Sequence, residues 1–375
     1  MIKKHLHRLL LVGVVLSAFV GAGFSDAARA AAAVSKDVSS LPSVHILATG
    51  GTIAGAKQDD ATEYASGVLS VDQIVASVPA LASMARIEGA QISNIGSQDM
   101  HDGVWKDLAE YIAEKRRAHA DTAIVITHGT DTIEETGFFL DLLFPTGAPI
   151  VLTAAMRPAD HPRADGPRNL EDAFRIATDP AARDRGPLIV LNEKIHAARY
   201  VRKTHVSNVD AYGSGEMGQA GEMVEDAARF FTEPRSPSLT VDPEIIENLR
   251  FPKVGVAYMH ASFDSNLIKY FSRAGYDGVV LAGVGQGNTN AATIDAMADF
   301  ARKGVVVRST RVRSGIVTRN YEINDDGLGF VVARDLSPQK AQVLLQLLLP
   351  QTDDLEVIQR AFTCDAPFAT NFCAN

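Results

Sequence analysis

Cysteine is nearly absent from this chain. Only Cys364 and Cys373 occur among 375 residues, both near the C-terminus. No Cys-x-x-Cys and no His-Glu-x-x-His is present, and the ten histidines show no ligand spacing. No metal and no cofactor are therefore expected. The pair Gly50-Gly51 before Thr52 lacks the Gly-x-Gly-x-x-Gly spacing, and no Walker lysine follows it, which argues against a dinucleotide or P-loop site. Positive charge is also in deficit, with 36 basic against 45 acidic residues. Nucleic acid and anionic membrane surfaces are poor partners for such a chain. An apolar run of the ~20 residues needed to span a bilayer is missing.

What is present begins with an N-terminal segment that stands apart from the fold. Lys3, Lys4 and Arg8 precede an apolar stretch from Leu9 to Val20, and Ala28-Arg29-Ala30 offers a cleavage site, with Ala31 to Ala33 as neighbours. This pattern is that of a secretory signal peptide over residues 1–30, so a periplasmic protein is expected. No cysteine follows the apolar stretch, which argues against a bacterial lipid anchor. Removing residues 1–30 deletes four basic groups (Lys3, Lys4, Arg8, Arg29) and one acid (Asp26), taking the formal charge from −9 to −12. In an oxidising compartment, Cys364 and Cys373 have the setting for a bridge that pins the tail.

The whole sequence is 46% hydrophobic and 22% charged, an ordinary globular balance. Short apolar runs alternate with amphipathic segments. Ser43 to Ala48, Ala85 to Ile95, Thr122 to Thr127, Pro149 to Ala154 and Pro187 to Asn192 read as strands. Val71 to Val78, Asp102 to Arg117 and Thr132 to Phe144 read as helices. A second alternating unit begins at Lys253 to Tyr258 and continues through Asn266 to Arg273, Gly278 to Gly283, Asn290 to Arg302, Val305 to Arg308 and Gln339 to Leu349. The expected class is α/β: a larger N-terminal α/β domain with a mostly parallel sheet and crossover helices over 41–235, a linker over 236–250, and a smaller C-terminal α/β domain over 251–375.

Two segments deliver hydroxyl groups to the ends of buried strands: Ala48-Thr49-Gly50-Gly51-Thr52-Ile53-Ala54-Gly55 and Thr127-His128-Gly129-Thr130-Asp131-Thr132-Ile133-Glu134-Glu135-Thr136. Strand ends are where open α/β sheets bind ligands. Thr52 fits a glycine-rich turn as well as it fits a nucleophile. Thr130 and Asp131 open a helix whose unpaired N–H groups suit a carboxylate. Asp131 suits an N-cap and also an ammonium ligand. Either Asp131 or Thr132 would cap that helix, with Glu134 or Glu135 closing a capping box. Lys203 fits a solvated loop cation, or a base if burial leaves it neutral. Tyr64 is the aromatic of a small-residue loop over 50–70, a candidate mobile loop.

These two segments resemble the signature motifs of the bacterial-type L-asparaginases, and most closely those of the exported class and its glutaminase-asparaginase relatives. The similarity extends through Asn94-Ile95-Gly96-Ser97-Gln98-Asp99-Met100, Ala155-Met156-Arg157-Pro158, Ala164-Asp165-Gly166-Pro167, Gly283-Val284-Gly285-Gln286-Gly287-Asn288 and Arg308-Ser309-Thr310-Arg311, in order from about residue 43 to 362. The resemblance implies an amidohydrolase acting on asparagine through an acyl-enzyme, with glutamine as a secondary substrate. It implies Thr52 as nucleophile, Tyr64 as its loop-borne partner, and Thr130, Asp131 and Lys203 as a second hydrogen-bonded set. Ser97, Gln98, Thr130 and Asp131 would bind the amino-acid head group. Asn288 and Glu322 would reach the site from a neighbouring subunit of a homotetramer. Asn288 leans the expectation towards asparagine. Two features depart from the family pattern: the loop between Gly55 and Tyr64, and the tail carrying Cys364 and Cys373. A periplasmic amino-acid-binding protein is the competing reading. It would share the export signal and the two α/β units but would not need Thr52, Tyr64, Thr130 and Lys203 together.

Overall fold

Both faces of strand β1 (Ser43–Gly50) are covered, and seven of its eight residues are buried, the polar His45 and Thr49 among them. The computed structural model describes residues 40–57, 64–236 and 242–364, and the described residues from Pro42 onward belong to one compact unit. The expected signal segment 1–30 and Cys373 lie outside the described residues. Cys364 is disulfide-bonded.

After β1 come a short antiparallel pair, β2 (Ala56–Lys57) and β3 (Tyr64–Ala65), then α1 (Val71–Ala76) and β4 (Arg86–Ile95). Ser70 and Gln73 form a reciprocal capping box on α1. Next are α2 (Asp102–Ala118), β5 (Ala123–Thr127), α3 (Ile133–Leu143), β6 (Ile150–Thr153), α4 (Gly166–Ala177), β7 (Leu188–Leu191) and β8 (Lys194–Ala197). Val104, Leu108 and Ile112, spaced four apart, all lie on the buried face of α2. A two-stranded ribbon of β9 (Arg202–Lys203) and β10 (Tyr212–Gly213) precedes β11 (Gly221–Val224) and β12 (Ala227–Phe230).

The larger sheet has the order β12-β11-β8-β7-β6-β5-β1-β4. Strands β4, β1, β5, β6 and β7 are parallel, whereas β8, β11 and β12 extend the far edge antiparallel. The chain leaves β1 for β4 on one side and then resumes with β5 on the other. The topological switch point therefore lies between the C-terminal ends of β1 and β5, where such sheets open a crevice.

The second sheet follows α5 (Pro243–Glu247). It comprises β13 (Val254–Tyr258), α6 (Asn266–Arg273), β14 (Gly278–Gly283), α7 (Ala291–Phe300), β15 (Val305–Thr310), α8 (Asp325–Leu328) and β16 (Phe330–Val332), all four strands parallel in chain order. Helices α9 (Pro338–Leu348) and α10 (Leu355–Phe362) are the last elements among the described residues. One hydrophobic cluster runs from Ile126 and Phe139 beside the larger sheet to Val280, Leu344 and Phe362 beside the smaller one.

The expected α/β class with a larger and a smaller mostly parallel sheet holds. Several elements went unread. Helix α4 starts in a Gly-Pro segment that reads as loop, and its Pro167 is a first-turn proline. The edge strands β11 and β12 are short and half-exposed, so they carry no apolar run. Within the stretch expected as linker, Ile246 and Leu249 are buried in the shared cluster.

Candidate active site

Two loops touch backbone to backbone at the switch point. Gly50 and Gly51 carry φ angles of +107° and +76°, and the 3-10 turn Thr52–Ala54 follows. A Cβ on Gly51 would sit 2.4 Å from the Cα and N of Gly129, and one on Gly129 would sit 2.5 Å from Ser97 Oγ. Glycine is required because any side chain would push the two loops apart. The parallel strands β1, β5 and β4 thus bring Thr52, Thr130 and Ser97 to one crevice.

The Thr130 loop is locked from beneath by His128, which is fully buried. Its Nδ1 lies 2.8 Å from Gly129 O, so Nδ1 carries the proton and donates to that carbonyl. Nε2 is then an acceptor for the Thr136 hydroxyl at 2.9 Å, and Thr136 Oγ1 accepts from Trp105 Nε1 at 2.9 Å. Burial pushes the His128 pKa down to about 4, so the ring is neutral near pH 7. A neutral ring in one tautomer fixes the Gly129–Thr130 peptide. Tyr212 OH donates to Thr130 O from the other side.

Lys203 approaches from β9. Its Nζ donates to Thr130 Oγ1 at 2.9 Å and to Asp131 Oδ1 at 2.6 Å. The lysine side chain is 18% exposed and that of Asp131 is 59% exposed. Lys203 is therefore no solvated loop cation, and Asp131 is no cap. The cap position of α3 belongs to Thr132, whose hydroxyl donates instead to Ser97 O at 2.7 Å. No capping box forms. Glu134 is drawn elsewhere, accepting from the Lys203 backbone N–H and from Gln339 Nε2. The Asp131 N–H, expected to be unpaired, donates to Ser97 Oγ at 3.1 Å. Ser97 is buried and Gln98 is exposed at the rim, where its Nε2 lies 3.4 Å from Asp99 Oδ2. Tyr64 starts β3, opposite Lys57 of β2.

Asn288 and Glu322 form a second group, at the C-terminal edge of the smaller sheet. Asn288 Nδ2 donates to Glu322 Oε2 at 2.5 Å. Among the described residues no hydrogen bond joins either of them to Ser97, Thr130, Asp131 or Lys203. Both loops are tied to a buried ion pair: Arg308 bonds Asp325 through Nε at 2.5 Å and Nη2 at 2.8 Å. Arg308 Nη1 donates to Gln286 O and Gly287 O, just before Asn288. Asp325 accepts from the Asn320 N–H, two residues before Glu322.

His128, Tyr212, Gln339 and Lys340 were not singled out from the sequence. His128 lay inside a quoted motif and was available to be read. The other three come from distant segments and carry no local signal. Among the described residues no group of three or more potential metal ligands gathers, and no helix is long and apolar enough to cross a membrane.

Residues 43–236 match the family model described as "Asparaginase, N-terminal", and residues 253–362 match "Glutaminase/Asparaginase C-terminal domain". The chain is 43% identical over 325 residues to "Probable L-asparaginase periplasmic" of Haemophilus influenzae, covering 86% of this chain and 93% of that protein. It is 42% identical over 344 residues to "L-asparaginase 2" of Escherichia coli strain K12, covering 91% and 95%. It is 36% identical to "Glutaminase-asparaginase" of Pseudomonas fluorescens biotype A, covering 86% and 90%. The crystal structure of a "Probable Cytoplasmic L-asparaginase" from Campylobacter jejuni superposes with a TM-score of 0.80 at 36% identity, over 86% of this chain and 99% of that one. On two family models and relatives of this identity spanning most of its length, the chain belongs to the asparaginase family.

Proposed function

We propose that this protein hydrolyses the side-chain amide of L-asparagine to aspartate and ammonia, with L-glutamine as a secondary substrate. The observation that carries the reading is the Lys203–Thr130–Asp131 set at 2.9 and 2.6 Å, facing the Thr52 turn across the switch point. Thr52 Oγ attacks the carboxamide carbon, and its proton leaves with the departing ammonia, aided by Tyr64. Backbone N–H groups of the two glycine-bearing turns stabilise the oxyanion. Water, oriented by Thr130 with Lys203, then attacks the acyl ester, adding hydroxide to carbon and returning the proton to Thr52 Oγ. Asp131 and Gln98 bind the α-ammonium. The Ser97 hydroxyl still has its own proton to donate to the α-carboxylate.

Export to the periplasm and assembly as a homotetramer belong to the same proposal. Glu322 is exposed, as is Tyr321 beside it (69%), so the Asn288–Glu322 edge is open to a second copy. Domain boundaries at 41–235 and 251–375 are proposed with it, residues 236–250 joining them. The amino-acid-binding reading has no observation in its favour.

The test is ammonia release from asparagine and glutamine by the mature protein, with Thr52→Ala as control. Asparagine turnover that Thr52→Ala abolishes, together with an acyl group on Thr52 trapped at low pH and located by mass spectrometry, is the expected result. Bound asparagine without ammonia would restore the binder. An ester on another side chain would remove Thr52 as nucleophile.

A further inference from the structure

One buried ammonium holds the chain segment that delivers Lys203. Lys340, in the first turn of α9, is 1% exposed. Its Nζ donates to Ala198 O at 2.8 Å, Arg199 O at 2.9 Å and Val201 O at 2.7 Å. An ammonium has three N–H donors and no acceptor, so every donor is committed to one short turn. That turn runs directly into β9, which carries Lys203. The preceding residue of the helix completes the grip. Gln339 Nε2 donates to Glu134 Oε1 at 2.6 Å, and the other oxygen of Glu134 accepts the Lys203 N–H.

A buried charge is costly. Packing alone would be served by leucine or methionine, since desolvating an ammonium costs several kcal/mol before its partners offset it. Three carbonyls two to five residues from Lys203 are specific partners. They fix the path of the backbone rather than filling space. The helix that provides the donor lies more than 130 residues further along the sequence.

We propose that Lys340 is a positioning residue: with Gln339 acting through Glu134, it fixes the 198–201 turn so that the Lys203 amine meets Thr130 and Asp131. The inference rests on the catalytic reading of Lys203 given above. Lys340→Met keeps the volume and removes the three donors. The expected result is a fall of roughly 10- to 100-fold in kcat with KM within about twofold, because misplacement by ~1 Å costs up to ~100-fold. Gln339 is half-buried, so Gln339→Leu tests the same grip in a variant that leaves Lys340 and its three bonds in place. Its expected loss in kcat is roughly three- to tenfold.

Both changes are repeated in the Lys203→Met background. There the positioning effect disappears, whereas general damage to the fold lowers the residual rate by the same factor as in the wild type. Unchanged kcat in folded Lys340→Met overturns the proposal, and so does a loss that stays multiplicative on Lys203→Met. Should Lys340→Met not fold, an unchanged kcat for Gln339→Leu overturns it. Full activity of Lys203→Met alone removes the catalytic reading and the positioning role together. An inactive Lys203→Met beside an unaffected Lys340→Met removes only the positioning role.

Discussion

The crevice at the larger sheet and the Asn288–Glu322 edge of the smaller one are built by different means. The crevice rests on backbone: Gly50, Gly51 and Gly129 let two loops meet, and a neutral histidine orients one of them. The edge rests on charge: Arg308 and Asp325, both buried, tie together the loops that carry Asn288 and Glu322. A backbone-built site tolerates no added Cβ. A charge-built one fails when one partner is lost, and at Gly285, though not at Gly283 or Gly287, it has room for a Cβ.

Gly51→Ala breaks the comparison hardest. Its Cβ would lie 2.4 Å from Gly129 backbone at φ +76°, so the Thr52 and Thr130 loops must separate. Ammonia release falls by at least about 100-fold, the scale of a displaced reacting group. Gly285→Ala is the matched control at the other edge. It also has positive φ, +49°, but nothing within 4 Å of the new Cβ. It costs only ~1 kcal/mol of backbone strain, read as a small drop in melting temperature with kcat retained.

Arg308→Met attacks the edge. It strands Asp325 in the core, and losing one partner of a buried pair costs about 3–5 kcal/mol. Urea unfolding measures this. The double variant Arg308→Met with Asp325→Leu recovers most of the stability, because replacing both charges by apolar groups is close to neutral. No recovery would mean that the bonds to Gln286 O and Gly287 O matter more than the ion pair.

The neutral His128 of the crevice predicts an acid sensitivity. Its pKa in the folded chain, about 4, lies below the 6.5 of an ordinary imidazole. Between those values the unfolded chain holds a proton that the folded chain does not. This contribution is fully present above pH 6.5 and is lost as the pH falls towards 4, amounting to about 3 kcal/mol at ~1.4 kcal/mol per unit. Unfolding free energies of wild type and His128→Asn across pH 7 to 4.5 give the difference. Parallel curves would contradict the buried neutral ring.

Legibility in the sequence follows the same division. Apolar strands covered on both faces, such as 123–127, were readable because burial writes itself as a continuous run. That Thr52 and Thr130 follow the ends of buried strands was readable because glycines there mark tight turns, whereas the pattern around Asp131 suited a cap as well as a ligand and only the family resemblance pointed further. The antiparallel edge strands were not, since a half-exposed strand of four residues is pattern-poor. Glu134 was misread as part of a cap: its true partners, Lys203 and Gln339, lie 69 and 205 residues away. Propensity is local, and a carboxylate buried in a helix's first turn goes to whichever donor the tertiary fold brings there. Lys340 was invisible for the same reason, its three acceptors lying about 140 residues back.

The mildest change tests whether the two groups act together. Glu322→Gln keeps the shape of the side chain and its bond to Asn288 Nδ2, now through the amide oxygen, while removing the negative charge. If Glu322 meets the substrate ammonium in a neighbouring subunit's crevice, a charged hydrogen bond becomes a neutral one. Such a loss is worth roughly 1.5 kcal/mol, so KM for asparagine rises about tenfold while kcat changes little. The fold should not respond, because Glu322 is exposed and the Arg308–Asp325 pair beneath it is intact. If the crevice is shared between subunits in this way, a second signature follows. Specific activity falls on dilution, since a crevice separated from its neighbour lacks the acid, and the fall follows the dissociation measured by light scattering. A variant with unchanged KM, or a wild type whose specific activity is flat through dissociation, would leave the two regions as separate features of one chain.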